Sequence, residues 1–217
     1  MNIEQARFNM IEQQIRPWDV LDQNVLSLLG ELRREDFVPP PYRALAFVDM
    51  EIPLPDGQCM LAPKVEARLL QELQLRRSET VVEIGSGSGY MAALLAHQSR
   101  QVITLESSAE LARMAADNLR REGVANATVR QLDGRAGLPG EAPFDVIVLS
   151  GSVASVPRAL LEQLSPGGRL VAIVGHEPVM RARLFTRVGA QAWSEVDLFD
   201  TVAMRLHGFD EGAQFRF

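Results

Sequence analysis

Five apolar runs of strand length alternate with amphipathic stretches of helix length over the C-terminal two thirds of the chain. The runs are TVVEI (80–84), QVITL (101–105), ATVRQL (127–132), FDVIVL (144–149) and RLVAIV (169–174). The helical stretches lie near 88–98, 108–122 and 155–165. Strands that alternate with helices form a parallel sheet covered on both faces, so this pattern predicts a doubly wound α/β fold.

The segment FTRVGAQAWSEVDLFDTVAMRL (185–206) predicts two further strands joined by a turn. A connection this short cannot contain a crossover helix, so the two strands are expected to be antiparallel. Together with the five runs, they predict a mostly parallel, seven-stranded sheet with an antiparallel edge.

The N-terminal part has a helical pattern followed by a loop-rich segment. One helix is predicted from Phe8, Ile11, Ile15 and Trp18 at helical spacing, and a second from the apolar positions between 25 and 32, which Asp19 or Asp22 could cap. Six prolines between residues 37 and 63 exclude a long regular element there, and a third helix is predicted from 64 to about 75. We predict a single domain, 1–217, made of an N-terminal helical and loop extension (1–75) and a core (76–217).

Composition and charge narrow the class of protein. A chain of 217 residues with 47% hydrophobic content can bury a full core, and a net charge of −6 gives no electrostatic footprint for nucleic acid or an anionic membrane surface. The first twenty residues are too polar for a signal peptide, so we expect a cytoplasmic protein. Cys59 is the only cysteine, and the three histidines lack metal-ligand spacing, so neither a disulfide nor a metal site is expected.

The loop after the first sheet strand, in VVEIGSGSGY (81–90), has glycine at every second position. Ligands of open α/β sheets bind outside the carboxyl ends of the strands, which is where this loop lies. A dinucleotide fingerprint would require a third glycine at position 90, which is Tyr90. The pattern E-x-G-x-G-x-G instead resembles motif I of class I methyltransferases, which use S-adenosylmethionine and have a Rossmann-like fold.

Acidic residues follow the next two strands. Glu106 ends the second strand, where its carboxylate could accept hydrogen bonds from ribose hydroxyls, or could simply be a favourable charge at a helix N-terminus. Asp133 and Gly134 end the third strand, where a carboxylate could accept an adenine amino proton, or where the two residues could simply form a turn. With Glu83, three acidic strand ends surround one glycine loop, which predicts a nucleoside-binding crevice.

Longer blocks carry a more specific resemblance. The blocks REDFVPPPYRALAFVDMEIPLPDGQ, VVEIGSGSGYMAALLA and QLDGRAGLPGEAPFDVIVLSGSVASVPRALLEQLSPGGRLVAIVG are similar to consecutive blocks of the protein-L-isoaspartate O-methyltransferase family, over about residues 5–175. The resemblance implies methyl transfer from S-adenosylmethionine to the free carboxylate of an isoaspartyl residue, which initiates the repair of damaged proteins. It also implies a protein or peptide acceptor and a monomer or homodimer.

The resemblance and the strand-end pattern together assign candidate site residues. On the acceptor side, the candidates are Asp49, Gln58, Cys59 and Leu61. On the cofactor side, they are Glu83, Gly85, Ser86, Gly87, Gly89, Glu106, Ser107, Asp133, Gly134 and Ser150.

Two departures from the family both fall on the acceptor side. After Gln58 the family usually has Thr, Ile and Ser, the Ser being its active-site residue, whereas this chain has Cys59, Met60 and Leu61. Near the C-terminus the family commonly has VRFVPL, whereas this chain has TVAMRL without an arginine at the matching position. Lys64 could replace a lost hydrogen-bond donor or could be a solvated surface lysine.

Because of the two departures, two alternatives to isoaspartyl transfer stay open. One is a family member that binds S-adenosylmethionine and methylates a less polar acceptor, and the other is a non-catalytic cofactor-binding protein.

Overall fold

The computed structural model describes residues 2–209, and its centre is a seven-stranded sheet with the order β3-β2-β1-β4-β5-β6-β7. The strands are β1 (Thr80–Ile84), β2 (Gln101–Glu106), β3 (Ala127–Gln131), β4 (Phe144–Val153), β5 (Leu164–His176), β6 (Val179–Gly189) and β7 (Ala192–Thr201). Strands β1 to β5 pair in parallel, whereas β6 and β7 are antiparallel. The predicted α/β fold with an antiparallel edge is confirmed.

The strand order fixes where a ligand can bind. The chain runs outward from β1 through β2 to β3 and then returns to the other side of β1 as β4. Such a switch point opens a crevice outside the carboxyl ends of the strands that flank it. The glycine loop follows β1 directly and therefore lies at this crevice.

The helices are α1 (Ile3–Met10), α2 (Gln23–Glu31), α3 (Pro63–Leu73), α4 (Tyr90–Gln98), α5 (Ala109–Arg121) and α6 (Arg158–Leu161). Asp22 caps α2, because its side chain accepts from the backbone N–H groups of Asn24 and Val25. The predicted helix over 155–165 is wrong in length, since α6 has four residues. Beyond its last turn the buried Gln163 side chain donates to the Ala136 and Ala159 carbonyls and accepts from Leu138 N–H, and β5 begins at Leu164.

The first predicted helix is also partly wrong. Phe8, assigned to its apolar face, is 58% exposed, whereas Arg7, Met10 and Ile15 are buried. The helix widens into a π-helical turn at Ile11–Ile15 and then tightens into a 3₁₀ turn at Arg16–Trp18. This change of pitch shifts the buried stripe away from the position that a uniform spacing of 3.6 residues assigns to Phe8.

The N-terminal extension (2–75 in the structure) packs on one face of the sheet. It includes a short hairpin that lies at the carboxyl ends of the sheet strands. Leu29 and Leu69 of the extension share one hydrophobic cluster with Val81 and Val171 of the sheet. Residues 37–62 contain only 3₁₀ turns and an antiparallel pair of two-residue strands, Ile52–Pro53 and Cys59–Met60, as the prolines predict. We call residues 58–62, which include the second of these short strands, the acceptor loop.

Candidate active site

The glycine loop turns sharply from β1 into α4. Gly85, Gly87 and Gly89 have φ angles of +92°, +51° and +86°, a region that side chains with a Cβ rarely adopt. A Cβ atom on Gly89 would also lie 3.2 Å from the backbone of Ala115 in α5. Glycine therefore lets α5 approach the loop and leaves the loop backbone accessible from the crevice.

Glu106 connects this loop to the start of α5. Its side chain is nearly buried, Oε2 accepts from Gly87 N at 3.0 Å, and Oε1 accepts from Ser108 N at 3.0 Å. Glu106 thus places a negative charge at the N-terminus of α5, which is the simpler of the two roles that the sequence left open. Ser107 Oγ also donates to Oε1 at 3.4 Å, and since a carboxylate offers about four acceptor positions, Glu106 retains capacity for one ligand hydroxyl. The ribose role stays a prediction.

Glu83 lies beneath the loop and is fully buried. Thr104 Oγ1 donates to its Oε2 and Ser150 Oγ to its Oε1, each at 2.6 Å, and Thr104 Oγ1 also lies 2.6 Å from Ser86 Oγ. Burial raises the pKa of Glu83 to about 8, against the lowering effect of the two hydroxyls. Glu83 therefore supports the loop from below, and its predicted contact with a cofactor stays a prediction.

Asp133 and Gly134 form the turn that the sequence left open as an alternative. The Asp133 carboxylate accepts from the backbone N of Arg135 at 3.0 Å and pairs with the Arg135 guanidinium at 2.7 Å. These hydrogen bonds lower the pKa of Asp133. A Cβ atom on Gly134 would lie 2.4 Å from Ile84 Cγ2, so glycine is required for the turn to pack on β1. The adenine role of Asp133 stays a prediction.

On the acceptor side, Lys64 is neither a solvated lysine nor a free donor. Its Nζ lies 2.6 Å from Asp49 Oδ2 and 4.3 Å from the centre of the Trp18 ring. Leu61 is buried, and Cys59 is half-buried. Burial, assisted by the Glu51 carboxylate, raises the pKa of the Cys59 thiol well above its usual range. Apart from Gln58, the acceptor loop thus presents apolar side chains and an un-ionised thiol.

Two small cavities of about 20 Å³ each bring most of the predicted residues together. The first is lined by residues of the acceptor loop, of the glycine loop and of β4, including Cys59, Leu61, Glu83, Gly85, Ser86, Gly87 and Ser150. The second lies beside it and includes Gln58, Gly85, Glu106, Ser107 and Gly134. Of the predicted residues, Asp49, Gly89 and Asp133 line neither cavity.

The C-terminal segment TVAMRL (201–206), which the resemblance places on the acceptor side, also lies over the glycine loop on the cofactor side of the crevice. The last predicted strand extended to Leu206, but β7 ends at Thr201, and residues 203–207, which we call the strap, pair with β4 instead. Ser152 N donates to Met204 O at 2.8 Å, and Leu206 N donates to Ser152 O at 2.9 Å.

The strap covers the glycine loop. A Cβ atom on Gly85 would lie 2.6 Å from Leu206 Cδ2, and His207 Nδ1 lies 3.2 Å from Ser107 Oγ. One local feature could have indicated this contact, namely Gly151 within β4, where a Cβ atom would lie 2.8 Å from Leu206 Cγ. A glycine inside a strand often marks a place where another segment approaches closely.

Larger cavities lie elsewhere but lack the chemistry of the crevice. A groove of about 420 Å³ runs between α2 and α3 to the end of α4, and another of about 430 Å³ lies between α5 and β3. Neither includes the glycine loop or lies at the switch point. Within residues 2–209, no helix has both the length and the apolar character needed to cross a bilayer, and no group of three or more His, Cys, Asp or Glu residues could hold a metal ion.

Comparison with known proteins gives consistent results over most of the chain. The model of the protein-L-isoaspartate(D-aspartate) O-methyltransferase family matches residues 5–200. A protein-L-isoaspartate O-methyltransferase of Koribacter versatilis is 39% identical over 194 residues, which cover 89% of this chain and 87% of the relative. A protein of the same name from Brucella anthropi is 36% identical over 208 residues, which cover 95% of both chains.

Solved structures share the fold. A crystal structure from Plasmodium falciparum, described as a protein of the same kind in complex with S-adenosyl-L-homocysteine, superposes with a TM-score of 0.76. The two chains are 20% identical, and the match covers 95% of this chain and 98% of that one. At this identity the likeness shows a common fold, including the N-terminal extension as well as the sheet.

The burial of Glu83 predicts a specific dependence of stability on pH. Its pKa of about 8 lies above the unfolded value of 4.5, so the folded state binds the proton more tightly and stability falls as pH rises from about 5 to 8. We expect Glu83→Gln to remove this component, which amounts to at most about 1.4 kcal/mol per pH unit. Urea unfolding of both proteins at several pH values measures the difference. If the free energy of unfolding varied with pH in the same way for both proteins, Glu83 would not change its protonation on folding.

Proposed function

The chain belongs to the protein-L-isoaspartate O-methyltransferase family, and on this premise we propose that it transfers a methyl group from S-adenosylmethionine to the free carboxylate of isoaspartyl residues in proteins or peptides. The resemblance predicted from the sequence blocks is thereby confirmed at the level of the family. One structural observation supports the activity most strongly, because the acceptor loop and the glycine loop face each other across one cavity. Acceptor and cofactor would thus meet at the switch point of the sheet.

The residues of the cofactor side fit the cofactor of this family. S-adenosylmethionine supplies an electrophilic methyl group on a sulfonium ion. The glycine loop leaves room for the amino acid part, and Glu106 retains acceptor capacity for a ribose hydroxyl. Asp133, at the end of the next strand, is the candidate for the adenine amino group, although that role requires its pair with Arg135 to rearrange.

Binding also requires the strap to move. Pockets for small molecules usually have volumes of about 300 to 1,000 Å³, whereas each cavity at the crevice has about 20 Å³. Leu206 fills the space above Gly85, and His207 contacts Ser107. Displacing these two side chains would enlarge the second cavity, which they line, and their return over a bound ligand would exclude water from the reacting groups.

The acceptor chemistry needs alignment more than acid or base catalysis. An isoaspartyl carboxylate is ionised at neutral pH, so it can attack the methyl carbon without a general base. The protein must hold it in line with the methyl group and exclude water. The acceptor loop lacks the two hydroxyl donors that family members offer, and each charged hydrogen bond contributes about 1.5 to 3 kcal/mol. We therefore propose slow turnover rather than none.

The same loop favours a second candidate, a less polar acceptor. Cys59, Met60 and Leu61 line the cavity together with the buried carboxyl groups of Glu66 and Glu83. Two cations lie nearby, but both are already paired, Lys64 with Asp49 and the buried Arg34 with Glu66. A carboxylate acceptor would therefore lose hydration without gaining an unpaired cation, whereas a neutral acceptor avoids that desolvation cost.

Tritiated S-adenosylmethionine distinguishes the two candidates. We expect label to enter an isoaspartyl peptide and not its aspartyl twin of identical sequence. The product should be a methyl ester, so mild base should release the label as methanol. Base-stable label in another acceptor, with neither peptide labelled, would contradict isoaspartyl transfer and favour the second candidate.

Glu106 tests the cofactor side. We expect Glu106→Ala to weaken binding of S-adenosylmethionine about tenfold or more, because a hydrogen bond to a charged acceptor is lost. Calorimetry measures the affinity, and Glu110→Ala, an exposed glutamate in the first turn of α5, is the control for a change of charge near the site. Equal affinities for wild type and Glu106→Ala would remove Glu106 from the ligand contacts.

Restoring hydroxyls tests the acceptor side. Cys59→Thr combined with Leu61→Ser should raise kcat/KM for the isoaspartyl peptide without tightening cofactor binding, because the regained donors act on the acceptor and its transition state. The gain is bounded by about 3 to 6 kcal/mol, the contribution of two charged hydrogen bonds. Wild-type turnover that is fast and unaffected by this change would show that the carboxylate binds elsewhere.

A further inference from the structure

Arg34 is a buried arginine between the two loops of the site. It follows α2 in a 3₁₀ turn, Arg34–Asp36, and its side chain is 1% exposed. Its guanidinium donates to the carbonyl of Leu61 at 2.7 Å through Nη2 and to that of Ala46 at 3.0 Å through Nε. Its Nη1 pairs with Glu66, also buried, in the first turn of α3.

The same guanidinium reaches the cofactor side. Its central carbon lies 4.9 Å from the centre of the Tyr90 ring, and Tyr90 is the first residue of α4, directly after the glycine loop. The Leu61 carbonyl belongs to the acceptor loop. One side chain therefore contacts both the acceptor loop and the residue that follows the glycine loop, and neither contact is exposed to water.

Arginine is chemically suited to this position. Its planar guanidinium holds five N–H donors in fixed directions and has a flat face that can lie on an aromatic ring, whereas a lysine ammonium is a compact point charge with three donors. Glu66 compensates the buried charge, and burial in turn raises the pKa of Glu66 to about 7, against the lowering effect of Arg34. The remaining donors of Arg34 are satisfied by the Ala46 and Leu61 carbonyls, so the buried pair is attached to the backbone of the acceptor loop.

We propose that Arg34 is a positioning residue that holds the acceptor loop against the glycine loop, through the Leu61 carbonyl and the Tyr90 ring. It sets the separation of acceptor and cofactor without touching either. Its effect on methyl transfer rests on the proposed function, but its hold on the loop does not.

Cys59 offers a readout that is independent of activity. It is the only cysteine of the chain, lies in the acceptor loop and is half-buried, so its rate of reaction with a neutral disulfide reagent reports opening of the loop. The test variant is Arg34→Lys, which keeps the charge opposite Glu66 but loses the planar group.

Arg169→Lys is the matched control. Arg169 likewise pairs with one carboxylate, Glu79, and donates to two backbone carbonyls, those of Leu73 and Gln74. These groups lie at the opposite end of α3, whose 11 residues span about 16 Å. The control therefore removes similar bonds at a distance from the acceptor loop.

We expect Arg34→Lys to raise the labelling rate of Cys59 at least tenfold and to lower kcat for the isoaspartyl peptide at least tenfold. Affinity for S-adenosylmethionine should change less than threefold, because the glycine loop and Glu106 are retained. Arg169→Lys should change labelling and kcat less than threefold even where it lowers the thermal midpoint.

A second variant separates positioning from stability. Replacing the pair with apolar side chains, Arg34→Met with Glu66→Leu, removes both buried charges and often leaves stability unchanged. We expect it to fold and still to label at least tenfold faster. Labelling at the wild-type rate in both Arg34 variants, or an equal increase in Arg169→Lys, would overturn the proposal. Absence of methyl transfer in the wild type would contradict only the proposed function, because the rate of Cys59 labelling would still show whether Arg34 holds the acceptor loop.

Discussion

The buried carboxyl group of Glu83 organises the carboxyl edge of the sheet. It lies at the end of β1 and accepts hydrogen bonds from Thr104 on β2 and Ser150 on β4, while Thr104 also contacts Ser86 in the glycine loop. A buried polar group is costly unless it is hydrogen-bonded, so these partners are held at defined positions. Three strands and the loop therefore meet at one point, and the geometry of the crevice follows from that meeting.

The two sides of the crevice differ in how closely they follow the family. The cofactor side has a glycine loop, an acidic residue after β2 and a tight turn after β3, all supported by backbone hydrogen bonds. The acceptor side has exchanged hydroxyl groups for a thiol and a leucine, yet its backbone is fixed by Arg34. The sequence thus predicts a cofactor site of the family's kind, whereas the acceptor loop, bonded to Arg34 through the Leu61 carbonyl, differs from the family in its side chains.

Local sequence patterns predict elements whose stability is local. Strand β1 agrees with the prediction residue by residue, since β-branched residues occupy a run bounded by polar residues and glycine. Periodicity could not predict the strap, because residues 203–207 pair with Ser152, about fifty positions away, and Gly151 within β4 is the local signal of a close approach there. Arg34 was missed for a related reason. It stands in the charged run RRED, a pattern typical of a solvated surface, and only the fold brings Glu66 and Leu61 to it.

The central claim is that the cofactor binds at the crevice and not in one of the larger grooves. Hydrogen–deuterium exchange with and without S-adenosyl-L-homocysteine tests it directly, because the amides of Gly87 and Ser108 bond to the Glu106 carboxylate beside the predicted ribose position. We expect slower exchange at these two amides when the ligand binds. Slower exchange confined to residues 27–31 and 70–75, which line the groove between α2 and α3, would contradict it.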